Sequence, residues 1–195
     1  MGLRPNYIFD DMLSHLSQEI SDSDSDLPNA SFKIGSGWFA VNANLKNGEL
    51  EGLSNFTRQG DSCLSYTTGD MNIVMSGTAR LTDLKAEYTA KVSGVSKDVS
   101  GTVDHVDFAV TAAMTDAAAC KFDLTQCEIT VGNINVSIGS GWLDSVISSF
   151  VTLATNEVSD YLINVFEEVL RNAIQDYMDN ELDLTDFCDG YIILG

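Results

Sequence analysis

The chain has 195 residues, 44% of them hydrophobic, with 29 acidic against 10 basic side chains and a formal net charge of −19. That length and apolar content suit one domain with a substantial core. The charge argues against a nucleic-acid partner, because phosphate binding needs clustered Lys and Arg, and it disfavours anionic membrane surfaces; its simplest effect is to keep a soluble protein dispersed by self-repulsion.

In chain order, the first pattern is "YIFDDMLSHLSQEIS". Tyr7, Ile8, Met12, Leu13, Leu16 and Ile20 fall roughly on one helical face, and Pro5 suits a helix start. This predicts an N-terminal helix within 1–21. The opening "MGLRPNYIFDD" lacks the apolar core and cleavage site of a signal peptide. "SDSDSDLPNAS" then reads as a polar loop. Its Asp22, Asp24 and Asp26 imitate the start of a calcium loop, but Leu27 stands where that loop needs Gly and Lys33 where it needs Glu. It reads as an acidic linker, and no metal is expected.

From 32 to 138 the period is two. In "LKAEYTAKV", Leu84, Ala86, Tyr88, Ala90 and Val92 point one way, and Lys85, Glu87, Thr89 and Lys91 the other. "VDFAVTAAM" repeats this with Val106, Phe108, Val110, Ala112 and Met114; "FAVNANL", "MNIVMSG" and "INVSI" are shorter runs. Gly, Asn, Asp and Ser punctuate them. One apolar and one wet face predict an antiparallel sheet, and the absence of helical patterns between the strands argues against a parallel βαβ fold.

From 142 to 182 the period is helical again, leaving a tail at 183–195. Helix, strands, long helix is the order of an α+β fold, read as a single domain over 1–195 with the helices on one side of the sheet. Within the long helix, apolar pairs recur every fourth position: Tyr161/Leu162, Val165/Phe166, Val169/Leu170, Ala173/Ile174 and Tyr177/Met178. An α-helix turns about 100° per residue, so such a band creeps about 40° per step and about 160° over the stretch. It needs several neighbours, or one strongly twisted sheet that wraps it. The inward strand residues mix Tyr88, Phe108 and Met114 with Ala86, Ala90 and Ala112. Such space without filling residues is a feature of apolar binding cavities.

Chemical motifs are scarce. Gly35, Gly37 and Ala40 in "GSGWFA" fit a loose dinucleotide fingerprint but do not open a helix. "IGSGW" occurs at Ile34–Trp38 and Ile138–Trp142, as a shared turn type or by chance. The two histidines, His15 and His105, accompany no G-x-S-x-G elbow, and no paired metal-ligand spacing exists. No catalysis and no required cofactor are expected. Cys63, Cys120, Cys127 and Cys188 form an even set, and sequons stand at Asn29, Asn55 and Asn135; both point to a secreted glycoprotein. The short loop favours pairing Cys120 with Cys127, which leaves Cys63 with Cys188. One unbroken strand holding both Cys120 and Cys127 would place them too far apart to bond, and free buried thiols are then the alternative.

The order of elements, with "LKNGELEGLSNFTRQGD" after the first strand and "WLDSVISSFVTLATNEVSDYLINVFEEVLRNAIQDYM" closing the pattern, resembles the arthropod group 7 allergens. Those look related to juvenile-hormone-binding and takeout proteins and to single modules of the bactericidal/permeability-increasing protein. The resemblance runs from the first helix to about Leu182. It implies a long helix wrapped by a highly curved antiparallel sheet, with an apolar ligand between them and no catalytic residues. The acidity argues against lipopolysaccharide binding by a basic tip.

These readings converge on a secreted, non-enzymatic carrier of a hydrophobic small molecule: a lipid, an isoprenoid or a carotenoid-like pigment. The expected lining is Leu143, Ile147, Phe150, Val151, Tyr161, Leu162, Val165, Phe166 and Val169 from the long helix, with Tyr88, Phe108, Val110 and Met114 from the sheet. Met12 and Leu16 would close one end. No stable membrane insertion is expected, and self-association is left open. The alternative is a pattern-recognition or surface-active interaction module with a packed core.

Overall fold

The computed structural model describes residues 5–20, 26–34, 37–67, 72–116, 120–139 and 144–182. Helix α1 spans Pro5–Glu19 and buries Ile8, Phe9, Met12, Leu13 and Leu16. Tyr7, expected on that face, is 71% exposed, and Phe9 takes the inward place. Tyr7 lies about 100° of helix rotation back from Ile8, which carries it off the stripe.

Ten strands follow: β1 (Asp26–Leu27), β2 (Ala30–Ile34), β3 (Val41–Glu51), β4 (Phe56–Thr67), β5 (Asn72–Leu81), β6 (Leu84–Val92), β7 (Val95–Val103), β8 (Val106–Asp116), β9 (Lys121–Val131) and β10 (Ile134–Ile138). Every ladder is antiparallel. They form two half-sheets. The first runs β1-β3-β6-β7-β10, with β2 also on β3; the second runs β4-β5-β8-β9.

The two are halves of one meander. β3 with β4, β5 with β6, β7 with β8 and β9 with β10 each make one long strand, broken at 52–55, 82–83, 104–105 and 132–133. The breaks line up as a crease. Between the last two long strands hydrogen bonding runs through it: Asp104 N donates to Asn133 O and Gly132 N to His105 O, each at 2.9 Å. Gly52 (φ 91°) and Asp83 (φ 61°) supply the left-handed backbone of the other two breaks. A side chain at Gly52 would meet Asp83 O at 2.8 Å, so those strands touch as they bend.

Inward residues step by three at the crease instead of two: Leu50, Leu53 and Phe56; Leu81 and Leu84; Val103 and Val106; Val131 and Ile134. All are buried or packed on the core. Residues three apart on an unbroken strand would face opposite ways, so each two-residue break reverses the alternation and returns the apolar face inward. The apolar wall therefore continues round the bend, and the expected curved sheet is achieved by folding it along a line.

The long helix is continuous from Asp144 to Glu181. It comprises α2 (Asp144–Asp160), a π-helical stretch (Tyr161–Phe166), α3 (Glu167–Asp176) and a second π-helical stretch (Tyr177–Glu181). α2 lies over β10, β2 and β6; the remainder lies on β9, with α1 beside α3 and β4. Phe150, Ala154, Val158, Leu162, Phe166, Leu170, Ile174 and Met178 are buried, one every fourth residue. The expected winding of about 160° assumes α geometry throughout. In the π stretches, i→i+5 bonding fits more residues into each turn and takes back part of that drift.

Helices close both edges of the second half-sheet. At β9, Gln175 Oε1 accepts from Leu124 N (3.0 Å) beside a bulge, and Arg171 Nη2 donates to Cys127 O (2.9 Å). At β4, Asn6 Oδ1 accepts from Ser62 N and Oγ, each at 2.8 Å, and Arg58 pairs with Asp10 at 2.7 Å. Edge strands otherwise offer unpaired backbone to other chains.

The expected cysteine pairing fails: Cys63 and Cys127 are free thiols, exposed and buried respectively. Cys120 directly precedes β9 and Cys127 lies within it, so seven residues of extended chain separate them by roughly 20 Å, beyond disulfide reach. Cys120 is disulfide-bonded, with a partner that is neither of those two. The acidic run at 22–24, residues 35–36, Leu143 and the 183–195 tail lie outside the described residues.

Candidate apolar binding site

The inner faces of the two half-sheets differ in side-chain size. The second carries Ile73, Met75, Leu81, Phe108, Val110 and Phe122, all buried. α1 and α3 fill it. The Phe9 ring lies where a side chain at Gly77 would be, 2.6 Å from that site. Phe108 meets Phe56 edge-on at 5.5 Å, and the Tyr177 hydroxyl donates to the Asp11 carboxylate at 2.9 Å. Burial, then the hydrogen bond to Asp11, raises the Tyr177 hydroxyl above its ordinary pKa.

The first half-sheet sets small residues among its buried Leu45, Leu50, Leu84, Tyr88, Val99 and Val103. Ala43 stands opposite Val92, Ala90 opposite Leu45, and Gly101 between Ala86 and Val136. α2 covers them with Phe150, which meets Phe32 edge-on at 5.0 Å. Val146, Ile147, Val151 and Leu153 of the same helix are only half-buried. So are Phe32, Ile34, Val92 and Ile138, at the end of this half-sheet away from the crease. The core is thus closed at the crease and incompletely covered at its far end.

Two polar groups stand on this inner wall. The inward series of β7 is Val95, Lys97, Val99, Gly101 and Val103, running from 52% exposed at Val95 to fully buried. Lys97 faces in because it pairs with Ala90, and it is half-buried. Tyr88, opposite Val99, is 4% exposed, and its ring lies over Gly48. Its buried hydroxyl has no hydrogen-bond partner among the described residues. Burial, then the charge of Glu157 on α2, raises that hydroxyl above its ordinary pKa.

The expected lining is not gathered into one cavity. Tyr88, Ile147, Phe150 and Val151 belong to the first half. Met12, Leu16, Phe108, Val110, Leu162, Phe166 and Val169 belong to the filled second half, with Met114 half-buried at the end of β8; Met12 and Leu16 plug that half instead of closing a cavity end. Tyr161 is buried on the long helix. Val165 is 48% exposed on the outer side of the π-helical stretch, so it lines nothing internal. The half-buried Phe32, Ile34, Ile138 and Val146 were missed, as was Lys97, although the alternation of "VSKDVSGTV" already aligns that lysine with inward valines. A separate hollow of about 540 Å³ beside the crease has polar walls, including Asp104, Asn133, Asn135, Asn156 and Ser159. Among the described residues no cluster of His, Cys, Asp and Glu could hold a metal, and no helix is long and apolar enough to cross a membrane.

An antiparallel sheet folded around one long helix, with an apolar inner wall, defines a class of wrapped α+β proteins. The chain belongs within it to the Group 7 allergen family, whose model matches residues 4–182. A crystal structure of lipopolysaccharide binding protein shares the fold, with a TM-score of 0.53 at 14% identity. The match covers 90% of this chain and 37% of that one, so this chain spans little more than a third of that protein's length. Takeout 1 from Epiphyas postvittana is 13% identical over 93% of both chains, with a TM-score of 0.44. No curated protein matches the chain.

Proposed function

We propose that this protein is a secreted, non-enzymatic carrier of a hydrophobic small molecule. The ligand would be held at the open end of the first half-sheet, beneath α2. The carrying observation is the half-buried apolar rim of Phe32, Ile34, Val92, Ile138, Val146 and Ile147 over a wall where Ala43, Ala86 and Ala90 stand among larger apolar residues. A ligand on that rim would remove apolar surface from water, worth roughly 25 cal/mol per Å² before entropic costs. The structural neighbour named for binding lipopolysaccharide, itself a lipid, supports a lipid, isoprenoid or carotenoid-like pigment as cargo. Export agrees with the three sequons: Asn29, Asn55 and Asn135 are all exposed.

The experiment is native mass spectrometry and an absorption spectrum of purified protein, followed by uptake assays after delipidation. Co-purification of an apolar molecule, or micromolar uptake of a fatty acid, retinoid or carotenoid, is expected. Failure of all these ligands to bind sinks the reading. The surface-active alternative is favoured by one observation: Trp38 is fully exposed near the same end. It predicts insertion of Trp38 into lipid monolayers with no stoichiometric ligand.

A further inference from the structure

This inference rests on the carrier reading and concerns which end of the ligand is recognised. An apolar chain alone leaves the two polar groups of the inner wall unused. The described ion pairs involve Arg58, Arg80, His105, Lys121 and Arg171, not Lys97. The Tyr88 hydroxyl is buried and has no partner among the described residues. Buried polar groups in folded proteins are normally hydrogen-bonded; His15 Nε2 is a second such orphan, in the filled half, and Tyr88 is set apart by its place beside Lys97 on the inner wall. Lys97 stands opposite Ala90 and Tyr88 opposite Val99 on adjacent strands. Residues so related are diagonal neighbours on one face, about 7–8 Å apart, within reach of long and aromatic side chains.

The geometry points to a single-chain carboxylate as the ligand, its head group held between the Tyr88 hydroxyl and the Lys97 ammonium. The carboxylate accepts the hydroxyl's hydrogen bond, and its charge is balanced by Lys97. The chain runs outward from the head over Val92, Phe32 and Ile34, which accounts for apolar residues left half-covered at that end. A neutral hydrocarbon would cover the rim but leave both polar groups unpaired. Glu157 acts electrostatically on Tyr88 from α2, so it repels a second negative charge and places the head's charge on the Lys97 side.

The test is a comparison of palmitate with methyl palmitate on delipidated protein, by calorimetry or displacement of a bound fluorophore. Hydrogen bonds to charged groups are strong enough to give palmitate a preference of about tenfold or more. Lys97→Met should abolish the preference and Lys97→Arg should keep it. Tyr88→Phe should weaken palmitate more than the ester, whose carbonyl accepts a weaker, uncharged hydrogen bond. Equal binding of acid and ester to the unmodified protein overturns the assignment, as does a preference that survives in Lys97→Met. Should Lys97→Met fail to fold, the wild-type ratio and Lys97→Arg still decide. If neither compound binds, the carboxylate assignment fails while retinoid and carotenoid uptake still decides the carrier reading, which is a different result from ester and acid binding alike.

Discussion

The two half-sheets share one meander and one helix, yet they are filled differently. The second is filled by α1, closed at both edges by helix side chains, and packed with Phe9, Phe108, Phe166 and Leu170, all buried. The first sets Ala43, Ala86, Ala90 and Gly101 among buried Leu45, Leu50, Leu84 and Val99, is covered by one helix, and has a half-buried rim. The contrast teaches a division of labour: one half holds the fold together, and the other is free to hold something else.

The comparison can be broken or sharpened by substitution. Phe108→Ala should cost about 3–5 kcal/mol, as full truncation of a core Phe does, with a matching drop in the denaturation midpoint. Gly77→Ala should cost about 1–3 kcal/mol by pushing Phe9 and α1 off the second half-sheet. Phe32→Ala, at the rim, should cost less than about half the Phe108 loss while weakening ligand uptake. Equal losses for Phe32 and Phe108 in urea unfolding would show that the halves are packed alike.

Smaller effects concern titration. The hydrogen bond and charge of Arg80 hold Asp107 below the ordinary carboxylate pKa, with nearby His105 adding a little. A lowered folded pKa gives stability above the unfolded value of about 3.9 that is lost as pH falls through the folded one. Stability measured below about pH 4 should therefore fall more steeply in the native protein than in Asp107→Asn. Burial pushes the Cys127 thiol up to about 11, the opposing Arg171 charge only partly offsetting it. Its contribution is present below an unfolded pKa of about 8.5 and fades as pH rises toward the folded value. Alkylation at pH 8, followed by mass spectrometry, should label exposed Cys63 and spare Cys127. Both thiols sit on the second half-sheet, so labelling of both at one rate would mean that its β9 edge opens fast enough to expose Cys127.

Much of this was legible in the sequence. The alternation of 84–92 and 106–114, the four-residue spacing of 161–178 and the helix–strand–helix order carry the fold class, because burial of one face writes its period into the chain. The crease was also written, as Leu81–Leu84, Val103–Val106 and Val131–Ile134, but a two-residue period stops at each such step and so breaks long strands into short ones. The π-helical stretches were not legible, since i→i+5 bonding has no side-chain signature here. That is why Val165 was assigned to the wall and lies outside. The site was the least legible part: apolar residues that fill a core and those that face a ligand share one pattern, and only depth from the rim separates them. The orphan hydroxyl of Tyr88 is a property of its surroundings, which no local pattern states.

The crease also dictates how this chain can change length over evolutionary time. Adding or removing one residue at 82–83, 104–105 or 132–133 would turn an entire half-strand inside out, exchanging wall for surface. Hairpin tips such as Ser93–Gly94 carry no such penalty, because each side of the tip keeps its own register. Length variants of this chain that still fold should accordingly differ at the tips and keep the crease at two residues.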